Sequence, residues 1–174
     1  MPKIIIAAGG GVSSYSAGEI WHLLDERFRI PSVLIKPNQL SHLRLSDFNT
    51  LILPDGHYNW NESVREKIDR WVEDGGLIVA LEDANEWLAE KKLIKMEKKK
   101  PSRPDSSLIL PYIEQGKRRG AQSINGVILQ ASIDPTHPVC YGIHSGKMPV
   151  FRTNKLICEK TGDPYSSPVM IGEN

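Results

Sequence analysis

The stretch Ala80-Leu81-Glu82-Asp83-Ala84 sets two acidic side chains between a short apolar run, Gly75-Gly76-Leu77-Ile78-Val79, and a helical one, Asn85 to Glu90. Strand, sharp turn and helix in that order present a catalytic Ser or Cys at the top of an α/β sheet. Small residues flank such an elbow, because the turn is tight and larger side chains collide there. Here the central position carries Glu82, and a carboxylate does not attack an amide as a thiolate does. At a helix amino terminus Glu82 is favoured in its charged form. It can hold a cation or a ligand amine, act as a general base, or simply cap the helix as the relic of a lost nucleophile. The relic is the preferred reading.

Five other groups of residues have types that could do chemistry. Gly9-Gly10-Gly11, followed by Ser13, Ser14 and Ser16, offers backbone donors for an anion at a helix start. Ser14 takes the place of the third glycine of a dinucleotide fingerprint, and the Lys-Ser/Thr of a P-loop is missing. A tight strand-to-helix turn accounts for the run equally well. His137, Cys140, His144 and Cys158 form a His-x2-Cys-x3-His pattern with a distant Cys. Zinc uses such ligands, but the spacing fits no finger or ribbon. Pro138 and Gly142 point instead to a turn in which His137 caps locally. His22-Leu23-Leu24-Asp25 has Asp where a zinc-binding His-x-x-Glu needs Glu, and it lies on a core-facing helix. It is rejected. Lys91, Lys92, Lys95, Lys98, Lys99, Lys100 and Arg103, echoed by Lys117, Arg118 and Arg119, form a basic run without interleaved aromatics. It reads as a solvated loop rather than a nucleic-acid surface. Tyr58 and Trp60 could stack on a sugar or peptide, whereas Trp21, Trp71 and Trp87 lie on helices and read as core.

The elements that must position these residues alternate regularly. Lys3 to Ala8 is a continuous apolar run, as in a buried parallel strand. A helix opens at Ser16 or Ala17 and runs to about Phe28, with Ile20, Leu23, Leu24 and Phe28 at helical spacing. Strands come next at Ser32 to Lys36 and Asn49 to Leu53, the second ended by Pro54-Asp55-Gly56. Asn61 caps a helix from Glu62 to Asp74, with Val64, Ile68 and Trp71 on one face. Gly75-Gly76 closes it, and the strand before the elbow begins. This β-α-β-β-α-β-α order predicts a three-layer, mostly parallel α/β sheet with helices on both faces. Residues 91–123 are expected to be an irregular basic insertion within a single domain, 1–174. Further strands are expected at Gly126 to Ile133, Leu156 to Cys158 and Val169 to Ile171. No closing helix comes after them, so the natural domain is expected to extend past this chain's end. In this architecture ligands bind above the strand ends. Gly10, Ser13, Asp55, Gly56, His57, Tyr58, Glu82 and Asp83 are the residues that would line that crevice.

These motifs together resemble the class I glutamine amidotransferase-like, flavodoxin-like fold. Leu53-Pro54-Asp55-Gly56 is similar to that family's Leu-Pro-Gly-Gly loop, whose amides form an oxyanion hole, with Asp55 in place of one glycine. The family's Gly-x-Cys-x-Gly elbow falls on Ala80 to Ala84 and puts Glu82 in the Cys position. The His-x-Glu pair has no counterpart; His137-Pro138-Val139 has valine where the acid belongs. Gly56 remains available as an oxyanion donor, but nucleophile and base do not.

A narrower resemblance rests on GGGVSSYSAGEIWHLLDERFRIP, LILPDG, GGLIVAL and DPTHPVCYGI. These resemble the non-catalytic amidotransferase-like domain that ends certain bacterial zinc carboxypeptidases. That resemblance implies a pseudoenzyme module with no cofactor of its own, the zinc and the peptidase site lying in another domain. It implies partners among the other domains of the parent peptidase, a peptide or small molecule as possible ligand, and an extracytoplasmic location. A free-standing chain would instead be expected in the cytoplasm. The alternative expectation is a small-molecule-binding protein or hydrolase of the same fold, using Glu82 and Asp83 above the sheet.

Composition bounds these readings. At 174 residues, 40% hydrophobic and 25% charged, the chain is an ordinary globular one. Its formal net charge of +1 provides no global steering toward nucleic acid or anionic membrane. No run is long enough for a transmembrane helix, and the amino terminus does not read as a signal peptide. Two cysteines are too few for a disulfide scaffold.

Overall fold

Four short strands lie side by side in parallel at the start of the chain, in the order β2-β1-β3-β4. They are β1 (Ile4–Ala7), β2 (Ser32–Ile35), β3 (Thr50–Leu53) and β4 (Leu77–Ala80). The computed structural model describes residues 2–99, 111–121, 126–152, 156–163 and 165–172. They fall into two compact units, Met1–Lys95 and Met96–Asn174.

In the first unit the continuous apolar runs of the central strands β1 and β3 are buried because both sheet faces are covered there, while the edge strands β2 and β4 leave Val33, Leu34, Leu77 and Val79 exposed. Side chains alternate across the sheet, so Ile5, Ala7, Leu51 and Leu53 face one way while Ile4, Ile6 and Ile52 face the other. The first face is covered by α2 (Glu62–Glu73) and α3 (Ala84–Glu90), through Val64, Ile68 and Trp71 and through Ala84, Trp87 and Leu88. The opposite face is covered by α1 (Ser14–His22) and the turns after it, through Ile20, Leu24 and Ile30. The α/β expectation, with helices on both faces of a parallel sheet, is therefore met.

Caps place the helix ends. Asn61 Oδ1 accepts the Val64 N–H at 3.1 Å, as its position before α2 predicts. At the other end the Gly75 N–H reaches Val72 O and the Gly76 N–H reaches Trp71 O, each at 2.9 Å. This is a Schellman closure with Gly75 in the left-handed region at φ 99°. Gly76 is needed for another reason: a Cβ there would sit 2.4 Å from the Trp71 ring.

The first helix departs from expectation. Past His22 the chain widens into a π turn, Leu23–Arg27, with the Phe28 N–H bonded to Leu23 O at 3.1 Å. The extra residue in that turn rotates the succeeding side chains off the apolar stripe. Phe28 is consequently exposed; Trp21 and Leu23, which come before or at the start of that turn, are exposed as well, and none of the three joins the core expected for it.

The second unit holds an antiparallel sheet of β5 (Val127–Ile133), β6 (Lys147–Arg152) and β7 (Val169–Ile171), in the order β6-β5-β7. β6 has no counterpart among the expected strands, because Pro149 interrupts its pattern. Pro149 faces Gln130 on an edge strand, where the missing N–H costs no ladder bond. Leu156 to Cys158, expected as a strand, contributes only an isolated bridge between Cys158 and Lys98. Helix α4 (Tyr112–Ala121) occupies part of the stretch expected to be irregular; Glu114, Gln115, Lys117 and Arg118 are good helix formers, and basic charge alone does not prevent a helix. No helix among the described residues is long and apolar enough to cross a membrane.

Candidate functional site

The elbow is built as its sequence predicts. Leu81 continues from β4 and donates its N–H to Leu53 O at 2.9 Å, so the turn starts beside the end of β3. Glu82 then takes φ 47°, a left-handed conformation rare outside glycine. Ala84 is fully buried beneath the turn, which explains the small residue there. Asn85 secures the bend by donating Nδ2 to Glu82 O at 3.1 Å and to Ala80 O at 3.4 Å.

The loop after β3 meets this turn through Asp55. The Asp83 N–H donates to Asp55 Oδ1 at 3.2 Å. In an elbow of this kind, the amide following the nucleophile is an oxyanion-hole donor. Here a carboxylate of the same chain occupies that donor. The neighbouring amides are engaged too: Asp55 N–H donates to Ser16 Oγ at 3.1 Å, and His57 N–H donates to Gly11 O at 3.1 Å. The Ser13 N–H in turn donates to Asp55 O at 2.8 Å, tying the helix start to the same loop. Gly56 must be glycine, since a Cβ would lie 2.7 Å from Val12 Cα and 2.8 Å from Gly11 O.

Of the crevice candidates, Ser13, Asp55, Gly56, His57, Tyr58 and Asp83 are joined by these bonds or by direct succession, with Glu82 adjacent. Gly10 takes part in none of these bonds, and a Cβ added there would lie 3.6 Å from the Pro37 ring. Ser13 also serves as the N-cap of α1, its Oγ accepting the Ser16 N–H at 3.3 Å. None of the eight lines either of two cavities, one of about 650 Å3 on the outer side of α1 and one of about 610 Å3 in the second unit. Ser16 belongs to the crevice, although the sequence marks it only as part of the anion-cradle candidate at the helix start. Its partner lies 39 positions away, beyond the reach of any local pattern.

Tyr58 and Trp60 are not ligand platforms. Both are buried. The Tyr58 hydroxyl donates to Pro54 O at 2.8 Å, and Trp60 Nε1 donates to Pro37 O at 2.7 Å. Trp60 lies 4.8 Å from the Tyr58 ring and meets Trp87 edge-on at 4.9 Å, so its faces are spent on core packing. Burial, reinforced by the nearby Asp55 carboxylate, pushes the Tyr58 phenol above its ordinary range. It remains a neutral donor.

The weak metal candidates do not assemble. No three His, Cys, Asp or Glu side chains among the described residues come close enough to hold a metal ion. His137 Nδ1 accepts the Val139 N–H at 3.2 Å, which leaves Nε2 to donate to Tyr165 O at 3.2 Å, so both ring nitrogens are engaged. Cys140 is buried and Cys158 exposed, both as free thiols. In the basic run, Lys92, Lys95, Lys98 and Lys99 are exposed. Lys100, Arg103 and the Arg119 side chain lie outside the described residues.

Among solved structures the chain is similar to a protein described as ThuA-like from Parabacteroides merdae ATCC 43184, with a TM-score of 0.52 and 15% identity. The chain has the class I glutamine amidotransferase-like fold. The match covers 86% of this chain and 60% of that one, so the chain spans about three-fifths of its neighbour's length. No family model and no curated protein matches the chain. At this identity the likeness is one of fold, and it transfers no activity.

Proposed function

We propose that this chain is a non-catalytic, amidotransferase-like accessory domain of a zinc carboxypeptidase, serving in substrate positioning, domain packing or protein interaction. The zinc and the peptidase site would lie in another domain, and the location would be extracytoplasmic. One observation carries the non-catalytic part: the Asp55 carboxylate accepts the Asp83 N–H, the amide an acyl-transfer elbow keeps for its oxyanion. A tetrahedral oxyanion would have to displace a tethered carboxylate and then lie beside its charge. The Glu82 position supplies no nucleophile to form one. The link to a carboxypeptidase is supported by the resemblance of the GGGVSSYSAG, LILPDG and DPTHPVCYGI stretches.

The intact chain is to be assayed on glutamine and on N-blocked peptides, with and without a chelator. No turnover is expected. Chelator-sensitive release of C-terminal residues would overturn the reading. An adjoining coding segment with His-x-x-Glu and a later His should yield a domain that co-elutes with this one. A second reading, a small-molecule binder or hydrolase using Glu82 and Asp83, is favoured by the left-handed Glu82, since strain at a non-glycine residue often marks a functional turn. Any turnover or ligand binding lost in Glu82→Gln would establish that reading instead.

A further inference from the structure

The second unit contains a cavity whose chemistry is unrelated to the elbow. Its volume is about 610 Å3, within the range of small-ligand sites. Among the described residues three cationic ones, Lys99, Arg152 and Lys160, line it together with apolar Leu156, Ile157 and Met170, and Glu159 is the one acidic residue there. Arg152 is half-buried. Among the described residues its guanidinium makes one hydrogen bond, from Nη2 to Leu156 O at 3.4 Å, and no ion pair. A guanidinium carries five N–H donors in a fork that matches a carboxylate. Among the described residues no carboxylate meets that fork, so an anionic ligand would find the guanidinium available.

One wall is a strand edge. Among the described residues β7 pairs with β5 alone, which leaves its other edge unpaired, and Val169, Met170 and Ile171 all line the cavity. An unpaired edge offers alternating N–H and C=O groups to an extended chain. We propose that this cavity binds the C-terminal end of an extended peptide. The free carboxylate lies on Arg152, assisted by Lys99, and an apolar last side chain lies against Ile157 and Met170. Other anions fit less well. Among the described residues no aromatic side chain lines the cavity, so they offer nucleic-acid bases no stacking platform. Inorganic phosphate has no use for the apolar wall, and a fatty acid has none for the strand edge. Such a site does not depend on the chemistry at Glu82.

The test uses the 174-residue chain and fluorescein-labelled hexapeptides ending in Leu, compared as free acid and as C-terminal amide by anisotropy. The acid should bind about tenfold or more tightly than the amide, the scale of a hydrogen-bonded charge. In Arg152→Gln that preference should vanish, and in Glu82→Gln it should persist. The acid peptide should also slow thiol labelling of exposed Cys158 severalfold while buried Cys140 stays unreactive. Equal binding of acid and amide, or no binding of either at millimolar concentration, overturns the proposal without needing any variant. Displacement of the peptide by equimolar phosphate or by a short oligonucleotide overturns it as well, marking a site that reads charge alone. Failure here leaves the elbow reading intact, because the Glu82→Gln assay is independent of it.

Discussion

The end of the parallel sheet and the cavity of the second unit both collect charged groups, yet they treat them in opposite ways. At the sheet end, amide donors are met by groups of the same chain: Asp83 N–H by the Asp55 carboxylate, Asp55 N–H by Ser16, His57 N–H by Gly11 O. In the cavity a half-buried guanidinium makes one long bond to a carbonyl and has no carboxylate partner among the described residues. A site whose donors are satisfied internally gains little from a ligand, since binding only exchanges one partner for another. A cation without an internal counter-ion gains more, because the ligand displaces water rather than a partner held by the fold. Shape and motif draw attention to the elbow, while the accounting of hydrogen bonds draws it to Arg152.

The cores differ in the same sense. In the first unit Ile5, Leu51, Leu53 and Ile68 are fully buried, while in the second the buried apolar set among the described residues is Ala131, Ile133 and Cys140. The four tryptophans, Trp21, Trp60, Trp71 and Trp87, all belong to the first unit, so their fluorescence tracks its unfolding alone.

The largest effect is expected from Leu51→Ala, which removes a fully buried side chain between two covered faces. It should cost about 3 kcal/mol, read as a lower urea midpoint by tryptophan fluorescence; a loss below about 1 kcal/mol would mean that this core relaxes freely. Next comes Asn61→Ala, expected to cost about 1 kcal/mol by freeing the Val64 amide. Thermal melts in which it behaves as wild type would show that the cap is not needed. Glu82→Gly should go the other way and stabilise the first unit by up to about 1 kcal/mol, because glycine adopts φ 47° without strain. Unchanged stability would show that other contacts already offset the strain. The smallest effect concerns Asp134, whose carboxyl is lowered chiefly by the Thr136 hydroxyl at 2.6 Å and also by the Thr136 N–H at 2.9 Å. A carboxyl lowered on folding contributes stability above its ordinary pKa, and that contribution is lost as pH falls through the folded value. Thr136→Ala should move the acid transition of the second unit slightly upward in pH, as monitored by circular dichroism. A downward shift would reverse the assignment of the hydroxyl as the cause.

Local chemistry makes much of the first unit legible. The runs Ile4–Ala7 and Thr50–Leu53 are central strands because consecutive apolar residues demand cover on both faces, and Ser32–Ile35 pairs beside them as an edge strand with Val33 and Leu34 exposed. Asn61 and Gly75 mark their helix ends because capping needs only neighbours in sequence. The elbow at Glu82 is readable for the same reason, as is the turn at His137, whose ring caps the next residues. In the second unit β6 is hidden by Pro149, which a strand tolerates only at an edge, and edges are defined by the other strands.

The order of elements in the first unit, most of their ends, and the absence of a Cys at the elbow were therefore determined by the sequence itself. Tertiary structure alone decided that Asp55 reaches the amide of Asp83, 28 positions on, and that Ser16 holds the Asp55 amide. It also turned Tyr58 and Trp60 inward, and it gathered Lys99 with Arg152 and Met170. The physical reason is range. Periodicity and capping act over a few residues, whereas which polar group finds a partner depends on segments brought together only by packing the core.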